Sequence, residues 1–206
     1  MSNADMTPQQ EFLCKEYDLA ARLTYHIDEL RNRLTSFYLI FAGVGGAGLT
    51  IVVKGEQKQL LSDSVLACLF LLIALLGTVI VAILARCRRA QIEHFRIINK
   101  IRTYFLDNNY VLWNVVQLSA RTLPKPNRGS GTYMWTVLII IVNSCLVALA
   151  VYLLLNPLIV QKGSLWAVLA ALCSFAITFL GVDRLYFRLA QPPEEIVYSE
   201  QNLPGG

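Results

Sequence analysis

The chain has 206 residues, the length of one ordinary domain, yet 55% of them are hydrophobic and only 16% charged. Together with a mean hydropathy of +0.50, this apolar surplus excludes an ordinary soluble globular domain and calls for lipid to cover it. The formal net charge of +4 does not point to a nucleic-acid partner, because the basic residues gather beside apolar runs, where membrane topology accounts for them.

Residues 1–34 are expected to form a cytoplasmic amphipathic helix. Leu13, Tyr17, Ala20, Leu23, Ile27, Leu30 and Leu34 recur at steps of three and four, which aligns them in one stripe. Lys15, Glu16, Asp18, Arg22, Asp28, Glu29, Arg31 and Arg33 lie between them. That mixture of signs suits a face in water better than one on anionic lipid, so the stripe is expected to pack on protein. Leu13, Tyr17, Leu23, Ile27, Leu30 and Leu34 are therefore the candidate partner or oligomer interface.

Residues 35–85 are expected to hold the first transmembrane pair, built on apolar runs at 37–53 and 65–85. The helical pattern enters the first run without a breaker. That run follows more than thirty residues of mixed charge, unlike a cleavable signal peptide, and is expected to stay in the mature protein. It contains Gly43, Gly45, Gly46 and Gly48. In lipid, small residues let helix backbones approach closely, and Ala42 with Gly46 and Gly43 with Ala47 make two small-xxx-small registers. Tight helix packing is the expected role, with a hinge or pore-lining helix as the alternative.

Residues 86–132 form a basic cytoplasmic segment. Arg86, Arg88, Arg89, Arg96 and Arg102 alternate with Ile92, Phe95, Ile98 and Ile101, a pattern that continues the second span as a stalk. Asp107-Asn108-Asn109 reads as a turn, Tyr110 to Leu118 as a shorter apolar helix, and Leu123 to Thr132 as a loop back to the membrane.

Residues 133–182 are expected to hold the second transmembrane pair, on runs at 134–155 and 165–182 joined by a turn around Asn156, Pro157 and Gly163. Asn143 is the costliest polar residue in the spans to leave unpaired and is assigned to helix packing. Asp183 and Arg184 read as a boundary pair whose charges reach water, and Tyr38, Tyr133, Trp135, Trp166 and Tyr186 as rings at headgroup level. Residues 183–206 form a cytoplasmic tail.

The fold expected is thus an all-α integral membrane protein of four transmembrane helices in two pairs, with helical cytoplasmic extensions before the first and after the second span. All but three of the 18 lysines and arginines flank the spans on one side, the exceptions being Lys54, Lys58 and Lys162. By the positive-inside bias this puts both termini and the middle segment in the cytoplasm.

A search for chemistry finds little. The five cysteines are scattered, without Cys-x-x-Cys spacing, and His26 and His94 are the only histidines. No phosphate-binding glycine loop, nucleophile elbow or His-Glu-x-x-His pattern occurs. No catalytic residue, cofactor or metal is therefore expected, and a lipid-acting enzyme would have to use His26 or His94.

The segment Glu29-Leu30-Arg31-Asn32-Arg33-Leu34 before a glycine-rich span, with Ile98-Asn99-Lys100-Ile101-Arg102-Thr103-Tyr104-Phe105-Leu106 after the second, resembles a group of small uncharacterised bacterial four-pass membrane proteins. The resemblance implies the two-pair layout and a bacterial inner membrane, and brings no activity with it. In architecture alone the chain is similar to membrane effectors of anti-phage systems such as the four-pass subunit of Kiwa-type defence. The expected function is that of a non-enzymatic, homo-oligomeric membrane protein whose cytoplasmic helices bind a protein partner or signal. A channel or leak-forming pore and a lipid-acting enzyme are the alternatives.

Overall fold

The computed structural model describes residues 7–54, 63–107, 128, 130–159 and 165–191, with side chains at 7–46, 63–102, 128, 130–155 and 165–191. Four helices follow one another: α1 (Pro8–Lys54), α2 (Asp63–Asp107), α3 (Gly131–Ile159) and α4 (Leu165–Ala190). No strand occurs among the described residues.

Local chemistry explains where the helices begin. The backbone N–H of Gln10 donates to Thr7 Oγ1 at 3.3 Å and the N–H of Thr7 donates back to Gln10 Oε1 at 3.0 Å. This capping box, with Pro8 in the first helical position, satisfies donors that the helix itself cannot. Ser130 caps α3 in the same way, its Oγ accepting from the N–H of Tyr133 at 3.3 Å. At 47 and 45 residues, α1 and α2 are each about 70 Å long at 1.5 Å per residue, more than twice the roughly 30 Å of a hydrocarbon core. The stalks expected on both sides of the first pair are thus continuous with α1 and α2, with no break at residue 34 or 85.

Three helices are long and apolar enough to cross a membrane, over Asp63–Arg102, Gly131–Leu155 and Leu165–Ala190. That is one fewer than the four expected. The remaining run, 37–53, is the apolar end of a helix whose other turns are charged, and its side chains past residue 46 lie outside the described set. The shorter apolar helix expected at 110–118 also lies outside the described residues. The turn expected around Asn156 and Pro157 is corrected, since α3 runs on to Ile159. Proline's fixed φ is compatible with a helix, although its missing N–H costs one bond there.

The core lies where α2 and α3 meet. Both pack extensively, α2 against every other helix and α3 mainly against α2 and α4, whereas α1 leans on α2 and touches α3 only slightly. Small side chains at the contacts, among them Ala67, Ala74, Ala85 and Ala150, are buried beside Leu84, Ile139 and Ile140. Outward faces of α3 and α4 present Trp135, Leu138, Trp166, Leu172, Ile177 and Leu180, which suits helices whose surroundings are apolar.

Candidate functional site

Where α1 and α2 run beyond their apolar turns they form an antiparallel pair held by polar bridges. Arg31 Nη1 lies 2.9 Å from Asp28 Oδ1. The same oxygen accepts from Gln91 Nε2 at 3.1 Å, and Gln91 Oε1 in turn accepts from Arg88 Nη1 at 2.8 Å. The chain Arg31, Asp28, Gln91, Arg88 therefore links the two helices through one carboxylate and one buried amide. Roughly fifteen to twenty Å farther along, by the helical rise of about 1.5 Å per residue, Arg102 Nη2 donates to Tyr17 Oη at 3.0 Å and its guanidinium lies 5.7 Å from the ring centroid. Neither end can slide without breaking a directional contact at the other. Replacing Arg102 with alanine is expected to loosen this end and speed amide hydrogen exchange in the first turns of α1, while exchange around Tyr38 stays slow.

The basic residues expected to cluster thus divide by role. Arg88 and Arg102 bridge to α1, Arg89 pairs with Glu93 at 3.2 Å on its own helix, and Arg86 is exposed. Arg96 is partly buried and has partners of its own. At the exposed start of α1, Lys15 lies 2.7 Å from Glu11. The hydrogen bond and charge of Lys15 hold the Glu11 carboxyl below the usual range. This contribution to helix stability is present above the ordinary glutamate pKa and lost as pH falls through the lowered one.

The candidate interface residues do not share one environment. Tyr17 turns toward α2, Leu13, Ile27 and Leu34 are half-buried at the edge of that contact, and Leu23 and Leu30 remain exposed. The α2 stalk covers one side of the stripe and leaves the other open.

Within the apolar layer the packing glycine is Gly77 of α2. A Cβ built there would lie 2.6 Å from both Asn143 Oδ1 and Tyr38 Oη. Gly45 has one ordinary neighbour, Ile73 Cδ1 at 3.4 Å, while Gly43 and Gly46 have nothing within 4 Å, and Gly48 lies outside the described side chains. Asn143 is wholly buried: its Nδ2 donates to Thr78 Oγ1 at 2.9 Å and its Oδ1 accepts from Tyr38 Oη at 3.4 Å. Tyr38 is therefore a core residue and not a headgroup-level ring, because its hydroxyl has a partner inside. Tyr133 and Tyr186 are buried as well, in contrast to Trp135 and Trp166, which face outward.

Asp183 corrects a further expectation. It is 5% exposed and does not reach water with Arg184; it accepts from the Tyr133 hydroxyl and from Arg128 Nη2 at 3.0 Å. Arg128 also lies 5.2 Å above the Phe187 ring. The turn before α3 is thereby tied to α4.

Catalytic geometry does not emerge among the described residues. His26 is largely exposed, with Glu29 3.8 Å away, and no three His, Cys, Asp or Glu side chains among the described residues converge as a metal site. All five cysteines are free. No family model, curated protein or solved structure matches the chain.

Proposed function

We propose that this chain is a non-enzymatic multi-pass membrane protein that self-assembles and uses the α1–α2 helical pair as its cytoplasmic platform for a protein partner or signal. In this reading the first apolar run is a fourth span, the membrane is a bacterial inner membrane, and both termini lie in the cytoplasm with the platform. The positive-inside distribution of basic residues supports that orientation.

One observation carries the proposal. The platform is braced internally by Asp28, Gln91, Tyr17 and Arg102, yet it keeps Leu23 and Leu30 on an open face. A stalk serving only as an anchor gains nothing from an exposed leucine stripe on a helix bathed in water, whereas a binding surface does. Replacing both Leu23 and Leu30 with aspartate is expected to abolish assembly or partner capture without unfolding the bundle, since neither residue belongs to the core. Mass measurement in nanodiscs, alongside circular dichroism, reads the outcome. A monomeric wild type, or a double variant that assembles and binds like the wild type, overturns the proposal.

A further inference from the structure

The open face of α1 is longer than its two leucines. Phe12, Leu19, Leu23, Leu30, Phe37 and Val44 are each between 38% and 68% exposed, and they succeed one another at steps of seven, four, seven, seven and seven. At about 100° per residue they fall within one narrow arc of the helix. This is a heptad seam in which Leu23, Leu30, Phe37 and Val44 occupy one core position, and Phe12, Leu19 and Ile40 the other. It runs about 48 Å along the axis, from the charged half of α1 into its apolar end.

From this seam we infer that α1 pairs with α1 of a second copy as a parallel coiled coil that continues from the cytoplasm into the bilayer. The inference rests on the self-assembly reading above and specifies its contact. The length of the seam selects the occupant. Lipid can cover Phe37, Ile40 and Val44 but not Phe12 or Leu19 among charged neighbours, and a soluble protein can cover the latter but cannot follow the helix into hydrocarbon. A helix with the same polar-to-apolar transition at the same height satisfies both halves, and a second α1 is such a helix. Copies inserted with one orientation are related by an axis along the membrane normal, so their α1 helices run parallel and in register.

The flanks set no charges against one another: by heptad position Lys15, Arg22 and Glu29 lie on the side of Ala20, Ile27 and Leu34 of the other copy, and like charges face each other only at the core positions Glu16 and Arg33. The seam is interrupted by Glu16, His26 and Arg33. Arg33 is already paired with Glu29, and isolated polar residues at core positions of a coiled coil fix register at some cost in stability.

The placement of α1 leaves this face free: the helix sits at the edge of the bundle, with Tyr38 and Ala42 turned inward. Beside Phe41, Val44 and Gly45 an open apolar groove of about 480 Å³ runs against Leu69, Leu72 and Ile73 of α2. It gives the bulky rings of a neighbouring seam room to seat.

Cysteine scanning in native membranes tests the inference. In a background without the five native cysteines, single cysteines at Leu19, Leu23, Leu30 and Phe37 are expected to form disulfide-linked dimers several-fold more readily than cysteines at Ala21 and Asn32, which are exposed on the far side of α1. A photo-reactive residue at Leu23 in the otherwise native chain gives an independent reading if that background folds poorly. Equal cross-linking at all six positions, or cross-linking confined to Phe37, overturns the seam, as does capture of a different protein at Leu23. A discrete oligomer in nanodiscs combined with any of these results would defeat the α1 contact while leaving self-assembly standing. A monomer would defeat both.

Discussion

Replacing Gly77 with alanine is expected to destabilise the bundle by about 1–3 kcal/mol, the usual cost of forcing extra volume into a packed core. The new methyl would lie 2.6 Å from Asn143 Oδ1 and Tyr38 Oη, and 2.8 Å from Tyr38 Cζ. Relief requires the Tyr38 ring to move, and that ring is wholly buried where α1 leans on α2 and α3. Interhelical hydrogen bonds in membranes contribute about 0.6 kcal/mol on average, so deleting the Asn143 bonds alone should cost less than filling the space at Gly77. Thermal unfolding in detergent should therefore rank Gly77→Ala below Tyr38→Phe. Combining the two should be less harmful than their separate effects suggest, because losing the hydroxyl removes one of the close contacts. The Cζ contact at 2.8 Å keeps that rescue partial. A Gly77→Ala variant as stable as the wild type would mean that α1 does not dock against Gly77 as described.

Why Gly77 escapes a reading of the sequence, while the glycines from 43 to 48 attract one, is a matter of context. Clustered glycines in an apolar run match a known packing pattern, but the pattern does not say which face of the helix meets a neighbour. That depends on the rotation of α1, and the rotation follows from Tyr38 finding Asn143, 105 residues away in the chain. Gly77 stands alone among leucines and isoleucines, where nothing distinguishes it from tolerated filler. Asn143 stands out in the sequence because leaving its amide unpaired is costly in any register.

The long helices were legible for a related reason. Three- and four-residue spacing persists through Leu13 to Leu34 and through Ile92 to Ile101 with no proline or glycine to stop it, so periodicity alone extends α1 and α2 beyond their apolar turns. The same periodicity overstated the stripe on α1 as one surface. Residues at steps of three and four span an arc wide enough to serve two neighbours, and α2 takes the side with Tyr17 and Ala20 while Leu23 and Leu30 stay open. Dividing the stripe between them requires knowing how the helices cross. Asp183 was misplaced because hydropathy locates the end of an apolar run along the chain and says nothing about what lies beside it. Its burial depends on Tyr133, which another helix brings alongside.

Asp183→Ala is expected to be the most damaging single substitution at the α3–α4 end, at roughly 2–3 kcal/mol, about the worth of one charge-assisted hydrogen bond. The two partners of the carboxylate contribute unequally. Arg128 has a side chain 73% exposed, so water competes for it and the ion pair is worth at most about 1 kcal/mol. The Tyr133 hydroxyl lies in the buried core beside Tyr186 and Phe187, with ring centroids 5.7 and 5.2 Å away. Without Asp183 it loses its acceptor where water does not readily replace one. The expected order of destabilisation is Asp183→Ala, then Tyr133→Phe, then Arg128→Ala, read as unfolding midpoints in one detergent. Should Arg128→Ala match Asp183→Ala, the ion pair would be the dominant contact and the tie between the turn before α3 and the end of α4 would be electrostatic. The expected order makes that tie a buried hydrogen bond instead, with Arg128 as an outer clasp held in place by the Phe187 ring.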